Sequence, residues 1–165
     1  MSVVITSKNA ATRSKVGGCY AKRGADCCRR GHAMSVKFYD LQDDENPDNG
    51  SPVTDGPGVR VLLTRNVRRP PITCKFVHEQ QTELLIGLGA SLCFVQHSST
   101  DGSSPYLVAY LESERKKTGV AEFLITNSPT EIQLRQCIPI SILLEVAAYY
   151  VETGERSPAV LWEEA

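Results

Sequence analysis

Cysteine and histidine are the side chains here best suited to act as nucleophile, base or metal ligand, and they fall into two groups. Cys19, Cys27, Cys28 and His32 stand close together near the N-terminus. Cys-x7-Cys-Cys-x3-His offers zinc its preferred ligand types but lacks the closely paired spacing of a zinc motif. No metal site is assigned there. The other group is Cys74, Cys93 and Cys137, with His78 and His97. Cys93 and His97 have the residue types of a nucleophile and its base. On a strand, residues four apart share a face but lie about 13 Å apart, at roughly 3.3 Å per residue. A direct hydrogen bond is out of reach at that distance. The reading is a core cysteine and a histidine near a turn, since cysteine in an apolar run usually packs as a small hydrophobe.

Carboxylates are plentiful but scattered. Glu122 on a strand and Glu145 on a helix are one pair whose convergence the sequence leaves open. No Gly-Lys-Ser/Thr phosphate loop, His-Glu-x-x-His or Gly-x-Ser-x-Gly is present. Gly87-Leu88-Gly89 lacks the later glycine of a dinucleotide fingerprint and reads as a strand-and-turn device. No catalytic residue, cofactor or metal is assigned. The residues favour a binding protein over an enzyme.

The chain has 165 residues and a net charge of −1, which hides a split. Residues 1–33 carry seven basic side chains against Asp26, and residues 34–165 carry 11 basic against 18 acidic, a balance of −7. An acidic body repels nucleic acid and attracts basic partners. Residues 1–33 lack apolar periodicity and a secretory apolar stretch. Met34-Ser35-Val36 repeats Met1-Ser2-Val3. The leader therefore reads either as a disordered basic arm or as translated upstream sequence, with one domain over 34–165. The longest apolar stretch, Ile138 to Val151, carries Glu145 and falls short of the roughly 18 residues of a membrane span. With no export signal and free cysteines, the expected location is cytoplasmic.

The elements that must position any site follow from periodicity. Ser35 to Asp40 alternates like a strand. Asp43 to Gly58, rich in Asp, Pro and Gly, reads as a mobile loop. Val59 to Thr64, Ile72 to Val77, Leu84 to Leu88 and Leu92 to Val95 read as strands, with Arg65 to Pro71 a basic connection. Asp101-Gly102 marks a turn before Tyr106 to Leu111. That strand puts Tyr106, Val108 and Tyr110 on one face. Val120 to Thr126 and Glu131 to Gln136 complete the strands. A helix from Pro139 to Val151 ends at Gly154, and Pro158 to Trp162 forms a last strand. The fold class is α+β: an antiparallel β-sheet meander with a C-terminal helix packed on one face and a short final strand.

Thr82 to Glu164 resembles family one of the bacterial polymorphic-toxin immunity proteins, which are often encoded beside nucleic-acid deaminase toxins. The carrying residues are Leu84-Leu85-Ile86-Gly87-Leu88-Gly89, Asp101-Gly102 and Glu122-Phe123. Ile138-Pro139, a helix bearing Ala147 and Tyr150, Thr153-Gly154-Glu155-Arg156-Ser157-Pro158 and Trp162 complete the pattern. The resemblance implies a non-catalytic cytoplasmic antitoxin. It would bind a cognate toxin domain, a protein, and block its active site, with no direct contact to nucleic acid or membrane. Exposure and chemistry give the candidate contacts: Asp101, Glu112, Glu114, Glu163 and Glu164 for toxin Lys or Arg, and Tyr106, Tyr110 and Trp162 as aromatic anchors. Thr153 to Pro158 reads as structural, with Arg156 reaching a carboxylate or carbonyl. The alternatives are a small ligand-binding or scaffold protein and an enzyme using scattered carboxylates.

Overall fold

A computed structural model describes residues 35–67, 72–89 and 91–165. The candidate ligands Cys19, Cys27, Cys28 and His32 lie outside the described residues, as does the expected boundary at Met34.

Alternation in the first described segment gives strand β1 (Val36–Asp40), which buries Val36, Phe38 and Asp40. The acidic stretch after it, expected as a mobile loop, is an ordered set of turns. Asn46 Nδ2 donates to Asp40 Oδ2 at 2.8 Å, and the Asp40 N–H donates to Asn49 Oδ1 at 2.6 Å. Asn49 Nδ2 donates to the Asp43 carbonyl at 2.9 Å. Asp and Asn side chains take the place of backbone partners here, which is why a stretch so rich in them holds a shape. It leads into the short strand β2 (Pro52–Val53), paired with β1.

Helix α1 (Gly56–Asn66) replaces the strand expected at Val59 to Thr64 and takes in the start of the expected basic connection. The Asp55 carboxylate accepts the Gly58 N–H at 2.7 Å, and Pro57 sits in the first turn. Val59, Leu62, Leu63 and Asn66 are buried. They recur at i, i+3, i+4 and i+7, the helical stripe. The β-branched composition of Val59 to Thr64 suggested a strand, but the cap upstream and this wider period decide for a helix.

Strands β3 (Ile72–His78), β4 (Thr82–Leu88), β5 (Leu92–Ser99) and β6 (Leu107–Tyr110) then run as an antiparallel meander. Strands β7 (Val120–Ile125) and β8 (Ser128–Gln133) leave it to form a two-stranded ribbon of their own. Leu134–Gln136, part of the expected strand at Glu131 to Gln136, is a 3-10 turn. Strand β9 (Ile138–Pro139) pairs with the start of β5, where β6 pairs further along. Helix α2 (Ile140–Thr153) follows, and β10 (Leu161–Glu164) closes the chain against β6. The main sheet has the order β10-β6-β5-β4-β3-β1-β2. The architecture is α+β, as composition and periodicity predict. The final strand begins three residues later than expected, because Ser157 Oγ accepts the Ala159 N–H at 3.2 Å and holds Pro158 in a turn. No helix among the described residues is long and apolar enough to cross a membrane.

Both helices cover one face of the sheet. Phe38, Phe76, Leu84, Ile86, Val95 and Ala109 meet Leu143, Val146, Ala147 and Tyr150 of α2 and Leu63 of α1 in one buried cluster. Under the ribbon on the other face, Phe94, Phe123 and Cys137 form a second, smaller cluster. The two glycines of Gly87-Leu88-Gly89 have different tasks. Gly87 is opposite Phe94 in the ladder, and a Cβ there would lie 2.1 Å from the Phe94 ring. A Cβ on Gly89 would lie 2.7 Å from the Leu92 carbonyl, within the tight turn to β5.

Candidate partner-binding site

The eight residues chosen for contact fall in three places. Asp101, Tyr106 and Glu164 gather at one end of the β6–β10 edge. Strand β10 runs antiparallel to β6, so Glu164 lies opposite Leu107, and the Ala165 N–H donates to the Tyr106 carbonyl at 2.9 Å. Asp101 sits in the turn between β5 and β6 and accepts the Ser103 N–H at 2.8 Å. Hydrogen bonds from Ser103 and Ser99 hold its carboxyl down at about 2. The Tyr106 hydroxyl donates to the Gly102 carbonyl. All three residues are exposed.

The second place is the other face of the same edge. Glu112 pairs with Arg115 at 3.3 Å, Glu114 with Lys117, and Glu163 with Arg135. The hydrogen bond from Arg135 holds the Glu163 carboxyl below the usual carboxylate range. Tyr110 is buried, with the Arg115 guanidinium 5.7 Å from its ring centroid. These three acids are matched within the chain and offer less charge to a partner than their sequence suggests.

Trp162 is in the third place, on the helix face, half-buried at the end of a row of rings. Centroid distances are 6.1 Å for His78–Tyr150, 5.9 Å for Tyr150–His97 and 6.2 Å for His97–Trp162. Burial pushes the Tyr150 hydroxyl up to about 12, and it shares a 3.0 Å hydrogen bond with Thr82 Oγ1. His97 is thus a packed member of β5 rather than a residue beside a turn. Burial lowers its pKa, the Arg156 charge lowers it further, and Glu155 opposes both. His78 Nδ1 accepts the Gln80 N–H at 3.0 Å, while its buried Nε2 has no partner.

The Thr153 to Pro158 segment wraps this row. Thr153 Oγ1 donates to the Tyr149 carbonyl at 2.7 Å and accepts the Glu155 N–H at 3.1 Å. Gly154 takes φ +74° against His78, and the Trp162 indole N–H donates to the Ser157 carbonyl at 3.0 Å. Arg156 is the exception. It is exposed and makes no hydrogen bond or ion pair among the described residues. It lines a pocket of about 260 Å³ with Thr82, His97, Ser99, Ser103, Pro105 and Leu107. Asp101 and Tyr106 belong to the loop that forms one wall, and Glu164 is paired to the Leu107 that forms another. The signal for Arg156 was its charge, a lone cation among Glu152, Glu155, Glu163 and Glu164.

The sequence profile of immunity protein Imm1 matches residues 29–164. The chain belongs to the Imm1 family of immunity proteins. Every described strand and helix lies inside that match, so the elements before Thr82 are part of the family domain too. No curated protein matches the chain.

The residue types suited to catalysis are placed as follows in this Imm1 protein. Cys93 and His97 share the helix face of β5 four positions apart, and burial pushes the Cys93 thiol up to about 11. A thiol so high is protonated at neutral pH and is a poor nucleophile. Glu122 and Glu145 do not converge. Glu145 is exposed on α2, on one side of the main sheet, and Glu122 is exposed on the ribbon that covers the other side. No cluster of three or more His, Cys, Asp or Glu among the described residues is placed to hold a metal ion.

Proposed function

We propose that this immunity protein binds the toxin domain encoded beside it and neutralises it by covering the toxin's active site, without turnover of its own. The observation that carries the reading is the family match over residues 29–164. The toxin proposed is a nucleic-acid deaminase, met in the cytoplasm, and neither nucleic acid nor a membrane is bound directly. The acidic balance from residue 34 onward supports this choice. A toxin that grips DNA or RNA needs basic surface for the phosphates. An acidic inhibitor is steered to that surface and competes for it. The contact surface proposed is the β6–β10 edge, with Asp101, Tyr106 and Glu164 at one end, Glu112, Glu114 and Glu163 on its other face, and Tyr110 and Trp162 backing it.

The test is to express the neighbouring toxin domain in cells with and without this chain. Survival only in the presence of the chain is expected, and equal killing in both sinks the proposal. With the purified pair, association should slow as salt rises, because screening shortens to about 8 Å at physiological ionic strength. Dissociation should change less. A salt-independent association rate removes the steering argument.

A further inference from the structure

Four described cations, Lys37, Arg60, Lys116 and Arg156, reach no acid of the chain, and of these Arg156 is the one that acts on His97. Arg65, Lys75, Arg115, Lys117 and Arg135 each reach an acid of the same chain. Arg156 reaches none, although Glu155 precedes it. Arg156 lines a recess walled by His97, Ser99, Ser103 and Ser104 together with the apolar Pro105 and Leu107. A guanidinium has only donors, set in a rigid fork that matches a carboxylate. At about 260 Å³ the recess is below the usual range for whole small-molecule ligands. It has room for one short acidic side chain.

The rim narrows the choice of occupant. Asp101 and Glu164 flank the recess, Glu155 acts electrostatically on His97, and the body as a whole is acidic. Polyanions such as nucleic acid are repelled by that field. A single carboxylate carried on an otherwise basic protein surface is not. Its basic neighbours meet the acidic rim while the carboxylate meets the arginine. A cation set within acids also fixes register, because a partner shifted by one residue juxtaposes like charges.

We infer that the Arg156 recess receives an aspartate or glutamate side chain of the bound toxin, held by a two-pronged guanidinium–carboxylate ion pair. This rests on the toxin-binding reading above. It assigns to Arg156 the partner that it lacks within the chain.

Two arms test it. In the first, the full chain is titrated with the N-acetyl N-methylamide of glutamate, and in parallel with that of glutamine. The Arg156 Nε–H and the backbone amides from Ser99 to Leu107 are followed by NMR. Saturable shifts with the glutamate probe alone, lost in Arg156→Gln, are expected. No shift with glutamate, or equal shifts with both probes, overturns the carboxylate recess.

In the second arm, affinity for the neighbouring toxin domain is measured. Arg156→Gln should weaken binding by roughly 30-fold or more, the equivalent of breaking one buried charge pair. Arg156→Lys, which keeps the charge and loses the fork, should weaken it less. Because Arg156 is exposed, both variants should keep the parent's thermal midpoint. Equal toxin affinity of Arg156→Gln and the parent overturns the inference. A parent chain that binds no toxin removes the toxin as the source of the carboxylate, and the first arm then decides the recess alone.

Discussion

Replacing Gly154 by alanine should cost far more than the same change at Gly50, although their backbones are nearly alike. Gly154 has φ +74° and Gly50 has φ +76°. An L-residue in that left-handed region costs about 1–2 kcal/mol. For Gly50→Ala that is the whole effect, since no atom lies within 4 Å of the added Cβ. At Gly154 the Cβ would lie 2.8 Å from His78 Nε2 and 2.9 Å from its Cε1. The ring has little room to retreat, because His78 is only 2% exposed and packs edge-on to Tyr150. Overpacking of this kind adds about 1–3 kcal/mol. Gly154→Ala should thus lose about 2–5 kcal/mol, with the excess over Gly50→Ala measuring the contact with His78. Urea unfolding of the two variants and the parent gives both numbers. In the His78→Ser background the excess should largely vanish, as coupled neighbours are not additive. Equal losses at the two glycines, or an excess that survives His78→Ser, would refute the packing argument.

Three further outcomes are expected. Gly87→Ala should destabilise through overlap with the Phe94 and Phe123 rings, at 2.1 Å and 2.9 Å from the new Cβ, and Phe94→Leu should recover part of the loss in chemical denaturation. Trp162→Ala should cost about 2–3 kcal/mol, less than the ~3–5 of a fully buried aromatic, because the ring is half-buried; unchanged stability with lost toxin binding would make it a contact residue instead. Burial lowers the His97 pKa from 6.5, so below that pH the unfolded chain binds the more protons and stability falls as pH drops. His97→Gln should flatten that part of the stability–pH curve, and an unchanged slope would show that His97 is not its source.

The sequence determines most of the strands and the final helix because their signals are local. Alternation places β1, β3 and β7 to within a residue or two, and Gly154 marks the end of α2 by the left-handed turn it alone adopts cheaply. The acidic balance of the body and the C-terminal pattern from Ile138 to Trp162 are equally local, and the family match agrees with that pattern. Where two local signals compete, the shorter one misleads. Val59 to Thr64 has the composition of a strand, but Asp55 caps a helix whose buried stripe runs on to Asn66. The turns from Asp43 to Ser51 hold together through Asn46 and Asn49 reaching back to Asp40 and Asp43, contacts that turn propensity does not specify.

Only the tertiary structure decides which charges are available to a partner. Glu112 and Glu114 meet cations three residues along, but Glu163 is matched by Arg135, 28 positions away, across a pairing set by the sheet. The same pairing leaves Asp101, Tyr106 and Glu164 together at one edge. Arg156 has acids near it in sequence and none bonded to it in space. Its backbone is committed to wrapping the His78–Tyr150–His97–Trp162 row, which turns the side chain out over His97 and the Ser103–Pro105 wall. Charge is a property of residue type and is written in the sequence; whether that charge is satisfied depends on which distant segments the sheet brings alongside it.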